Sequence, residues 1–92
     1  MEQRPRRINA HLGFADAQLY EANLAGAQLN DADLSDTDLV RANLANANLT
    51  DARLQGANLS LADLLGARVT TSQLAQARSI QDATLPNGSI GH

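Results

Sequence analysis

The side chains that could do chemistry in this chain are few, and most are carboxylates. Ten acids face seven bases, all arginine, over 92 residues, and there is no cysteine. Asp31, Asp33, Asp36 and Asp38 form the densest acidic stretch. Carboxylates at such spacing can share a proton, hold a cation or face a basic partner. Acid–base catalysis also needs a cleft that excludes water and displaces a pKa. Alternating acids along an open wall do not make one. His11 and His92 lie at opposite ends and cannot combine as a base or as metal ligands. Gly26, Gly56 and Gly66 are isolated, so no glycine loop cradles a phosphate, and the Gly-rich calcium motif of β-helices is missing. Thr37, Thr50, Thr70 and Thr71 make no flat Thr-x-Thr array of the kind that would bind ice. The residues point away from an enzyme, and no catalytic, cofactor-binding or metal-binding residue is assigned.

What positions these side chains is a period of five. Large apolar centres run Phe14, Leu19, Leu24, Leu29, Leu34 and onward through Leu64, Val69 and Leu74, with a small residue two positions before most of them. On an α-helix, residues five apart lie roughly 140° around the axis, so the leucines would form no stripe. On a continuous strand an odd spacing sends successive leucines to opposite faces. Within each unit, though, the small residue and the leucine are two apart and point the same way. A short extended piece followed by a phase-resetting turn therefore buries both. Repetition coils the chain into a solenoid with a leucine and alanine interior.

The units Ala22-Asn23-Leu24, Ala42-Asn43-Leu44, Ala47-Asn48-Leu49, Ala57-Asn58-Leu59 and Ala62-Asp63-Leu64 carry the pattern A(D/N)LXX, and the chain resembles the pentapeptide-repeat family over about residues 12 to 75. The resemblance implies an all-β fold: a right-handed, four-sided parallel β-helix with one pentapeptide per side, twenty residues per coil and about three coils. Residues 1–10, with Arg4, Arg6 and Arg7, read as an N-terminal arm, and 11–75 as the repeat body. Leu12 and Phe14 place larger groups in the first coil, as a terminus requires. Residues 70–92 read as a short α-helical cap and tail of the same domain. Thr70 and Gln73 have capping-box spacing, which starts a helix near Thr71. Leu74, Ala77 and Ile80 give it one apolar edge through about Ser79. Ala83-Thr84-Leu85 then sits out of phase with the leucine ladder, ahead of the turn Pro86-Asn87-Gly88.

If coils are twenty residues, outward positions stack in columns: Asn23, Asn43, Asp63; Gln28, Asn48, Arg68; Asp33 beside Arg53; Glu21 beside Arg41. Asp16 falls next to Asp36 and Asp31 next to Asp51. Large apolar groups outside the interior are Tyr20, Val40 and Leu61 on or beside one wall, with Leu65 around the corner. These four, with Asp31, Asp33, Asp36 and Asp38, are the candidate interaction residues.

The sequence has no membrane-length apolar run and no signal-peptide core, which gives a soluble, cytoplasmic expectation. Net charge is −3, and residues 8–92 hold nine acids against four arginines, about −5. That balance opposes direct nucleic-acid binding. Two functional readings follow. The first is a non-enzymatic structural module that displays polar walls to a protein partner, as a monomer or weak homodimer. The second, implied by the family, is an acidic rod that mimics DNA and modulates gyrase.

Overall fold

A computed structural model describes residues 14–92. The expected arm at 1–10, His11 and Leu12 lie outside the described residues. The backbone forms a parallel ladder in which each bridging residue meets the one twenty positions on. Gln18 pairs with Asp38 and Asp38 with Asn58; Asn23 with Asn43 and Asn43 with Asp63; Gln28 with Asn48 and Asn48 with Arg68; Asp33 with Arg53. Four pentapeptides therefore complete one turn of the solenoid. Each wall holds a single bridging residue between two turns, so no long strand forms.

The hydrogen bonds show why the unit is five residues long. In the regular repeats the centre donates forward, as Leu24 N–H does to Asn43 O at 2.8 Å. The residue before the centre donates back, as Asn43 N–H does to Ala22 O at 2.9 Å. The residue two after the centre donates forward again, Gly26 N–H to Ala45 O at 2.8 Å. The small residue closes the turn, Ala27 N–H to Leu24 O at 3.0 Å. Each such turn carries a positive φ two residues after the centre, from Asp16 at 66° through Gly26 at 70° to Leu61 at 62°. A four-residue turn closed by such a bond, with positive φ at its third residue, is the type II arrangement.

Inside, Leu24, Leu29, Leu34, Leu39, Leu44, Leu49, Leu54, Leu59 and Leu64 stack with Ala27, Ala32, Ala42, Ala47, Ala52, Ala57 and Ala62, all buried. Thr37 takes one small position, is also buried, and satisfies its hydroxyl by donating to Leu34 O at 2.6 Å. Phe14, Leu19 and Ala22, in the first described coil, are only partly covered.

Helix α1 spans Thr71–Ala75, with Thr70 as N-cap and both arms of the capping box present. It is shorter than the sequence predicts. Ser79 does not end a helix; it joins the ladder on Asn58. Arg78 N–H donates to Ala57 O at 2.7 Å, and Ser79 O accepts from Leu59 N–H at 2.8 Å. Those partners are already in place, whereas a further helical turn would leave the ladder beneath it unpaired. The helix adds one residue, so the register becomes 21: Ser79 on Asn58 and Thr84 on Asp63. The segment Ala83-Thr84-Leu85, out of phase in sequence, thereby rejoins the ladder with Ala83 buried. The chain then reverses, and Ile90 pairs antiparallel with Thr84. Gly91 packs so closely on Ile80 O that a Cβ there has no room. No helix among the described residues is long and apolar enough to cross a membrane.

Candidate interaction surfaces

One backbone donor per pentapeptide remains after the ladder and turn are made: the N–H of the residue just after the centre. Where the residue just before the centre is Asp or Asn, its side chain takes it. Asn23 Oδ1 accepts from Ala25 N–H at 3.2 Å, Asn43 Oδ1 from Ala45 N–H at 3.1 Å, and Asp63 Oδ1 from Leu65 N–H at 3.0 Å. Asn48 and Asn58 accept both the N–H and the hydroxyl of Thr50 and Ser60. These are Asx turns, which explains the Asp or Asn of the motif by local chemistry.

The acidic stretch divides along the same lines. Asp33 Oδ1 accepts from Ser35 N–H at 3.0 Å and from Ser35 Oγ at 2.6 Å; Asp38 Oδ1 accepts from Val40 N–H at 3.1 Å. The Ser35 hydroxyl, then the Ser35 amide, hold the Asp33 carboxyl below its ordinary pKa; burial opposes them, and the Arg53 charge lowers it by the smallest share. Asp33 does lie beside Arg53 in the ladder, but its hydrogen bonds go to Ser35. Asp31 and Asp36 occupy turn corners at φ 65° and 57°. The Asp36 carboxylate leans over Gly56 in the next coil, where a Cβ would collide with its Oδ1. Two of the four acids thus brace turns, and two stand at adjacent corners of one wall with no side-chain hydrogen bond among the described residues.

The apolar residues remain outside. Tyr20 is 51 %, Leu61 47 % and Leu65 50 % exposed, while Val40 is half-buried. Ile90, 48 % exposed, is an addition that the five-residue pattern does not reveal, because the antiparallel return places it. The walls are also less uniform than the sequence implies. Helix α1 creates two shallow concavities near the C-terminal end. One, about 250 Å³, is lined by Thr50, Asp51, Arg68, Val69, Thr70 and Gln73. The other, about 360 Å³, lies among Val69, Thr71, Leu74, Leu85, Pro86 and Ser89. Gln73 was readable from sequence only as a cap residue. Its amide Nε2 also donates to Leu49 O at 2.7 Å and Ala52 O at 2.9 Å. No group of three or more His, Cys, Asp or Glu among the described residues is placed to hold a metal ion.

Comparison with known proteins finds a matching family and a similar solved structure. The family model described as pentapeptide repeats, in eight copies, matches residues 14–51, 27–66 and 42–78. Among solved structures, the chain is similar to HetL, a pentapeptide repeat protein involved in heterocyst differentiation regulation from the cyanobacterium Nostoc sp. strain PCC 7120. The two are 30% identical with a TM-score of 0.49, over 91% of this chain and 40% of HetL. The chain thus spans less than half the length of that protein. No curated protein matches it.

Proposed function

Because the chain belongs to the pentapeptide repeat family of right-handed β-helices, we propose that it is a non-enzymatic interaction module: a rigid four-sided rod of about three coils, with α1 as its end cap, whose walls meet a protein partner. The observation that carries this reading is the division of labour among its polar groups. The regular Asp and Asn positions are engaged with their own backbone, as at Asn58 and Asp63. What is left facing solvent is a rigid display of corner and wall side chains, including Tyr20, Leu61 and Leu65. Affinity capture from host lysate with the natural chain and with Tyr20→Ala, Leu61→Asn and Leu65→Glu tests it. A captured protein that is lost with one wall's variants supports the reading; capture indifferent to every wall substitution defeats it.

The DNA-mimic reading is favoured by one feature, the flanking of the Asp33 wall by the corner acids Asp16, Asp31, Asp36 and Asp51. Arg53 dilutes that wall. A gyrase supercoiling assay with and without fluoroquinolone decides it. Unchanged supercoiling at micromolar protein removes this second reading and leaves the first intact.

A further inference from the structure

The four corner columns are not equivalent. One holds Asp31 and Asp51, a second Asp16, Asp36 and Gly56, a third Gly26, Asn46 and Gly66. Asp, Asn and Gly are the residues that tolerate the left-handed region. The remaining column holds Glu21, Arg41 and Leu61, at φ 58°, 62° and 62°, before Asp82 at 60°. None of those three suits the backbone it occupies, and left-handed geometry costs a residue with a long side chain about 1–2 kcal/mol. Such an outlier points to a role for the side chain. Just before these corners stand Tyr20, half exposed, and Val40, half-buried.

We infer that this corner is a self-association edge whose occupant is a second copy of the chain, a deduction that rests on the interaction-module reading. The charges supply the argument. Glu21 and Arg41 sit in successive coils, spaced about 4.8 Å apart as ladder neighbours are, so the edge is negative in one coil and positive in the next. A two-fold axis passing between those coils sets each copy's Glu21 against the other copy's Arg41, giving two reciprocal pairs. The same axis brings Tyr20 of one copy against Val40 of the other. Centring the axis on Arg41 instead would oppose two guanidinium groups. The edge is therefore self-complementary in one antiparallel register, as an isologous contact requires. Leu61 stands at its rim. The contact is narrow and belongs to the weak, transient size class, and its exposed charges make it sensitive to salt.

Sedimentation equilibrium on the natural chain, up to about 1 mM protein in about 0.1 M salt, is the test. The expected result is a reversible monomer–dimer equilibrium that weakens toward about 1 M salt. Glu21→Arg and Arg41→Glu each place like charges at both reciprocal contacts and weaken the dimer about tenfold or more. An equimolar mixture of the two variants restores opposite charges at both contacts, and the dimer re-forms as a heterodimer. That recovery also shows that both variants fold. A natural chain monomeric throughout, a single variant that dimerises as the natural chain does, or a mixture that stays monomeric would each overturn the inference. None of those results touches the capture experiment, so failure here is separable from failure of the module reading.

Discussion

Asn58 illustrates what a residue just before a leucine centre does: its side-chain oxygen accepts both the N–H and the hydroxyl of Ser60, at 3.1 and 2.7 Å. Asn58→Ala leaves that amide without its partner and should cost about 1 kcal/mol. Asn58→Asp should be nearly silent, since Asp63 performs the same task; urea unfolding of both variants checks the pair. Leu61 gives the opposite sign. It sits at φ 62° with its side chain half exposed. Leu61→Asn should therefore raise stability by about 0.5–1 kcal/mol, read as a higher denaturation midpoint, because Asn tolerates that backbone.

Asp33 carries a pH signature. Its folded pKa lies below its ordinary value, chiefly through the Ser35 hydroxyl and amide. A depressed carboxyl pKa contributes stability that is complete above the unfolded value near ~3.9 and disappears as pH falls through the folded pKa. An NMR titration of the Asp33 carboxyl should give a midpoint below ~3.9, and Ser35→Ala should move it back up. A midpoint unaffected by Ser35→Ala would show that the hydroxyl is not the cause.

At the scale of elements, α1 is a single turn of helix, far too short to persist alone. Its attachment depends on Gln73. In a continuing ladder the Ala52 carbonyl would receive the backbone N–H of residue 73. Here that N–H is turned to the Thr70 hydroxyl at 3.1 Å, and the Gln73 side chain reaches Ala52 O in its place. One residue thus caps the helix and closes the wall beneath it. Gln73→Ala should cost about 1–3 kcal/mol and accelerate amide exchange in Thr71–Ala75 more than in the coils below. Equal acceleration along the whole chain would mean that α1 is not a separable element. The sequence shows the start of α1 through Thr70 and Gln73, but not its end. Ser79 leaves the helix because Asn58 already offers it a ladder position, and nothing in the spacing of Leu74, Ala77 and Ile80 records that competition.

For the whole molecule, stability resides in the contact of each coil with the next, as in other solenoids. Ala42 is fully buried where walls converge. Ala42→Leu should overpack the interior and cost about 1–3 kcal/mol or more, measurable by thermal or denaturant unfolding. A neutral result would mean that the small position is not a size requirement. The candidate surface is a property of this scale too, because its members come from different coils. Tyr20, Val40 and Leu61 are twenty or more residues apart, and only the ladder register brings them to one side.

By itself the sequence determined the solenoid. A repeat of five with Ala and Leu two apart is incompatible with a helix stripe or a continuous strand, and Ala57-Asn58-Leu59 states the inward pair and the turn residue together. The tertiary structure alone decided how the ladder ends and what each polar group does there. The register slip to 21 after α1, the return of Ile90 onto Thr84 and the reach of Gln73 to Ala52 O all depend on which partners earlier coils leave open. The acids, by contrast, divide by their place in the repeat: Asp33, just before a centre, closes a turn, while Asp31, two residues after one, stands at a corner. Local periodicity encodes what each repeat does identically, whereas the ends and the surface are settled by neighbours distant in the chain.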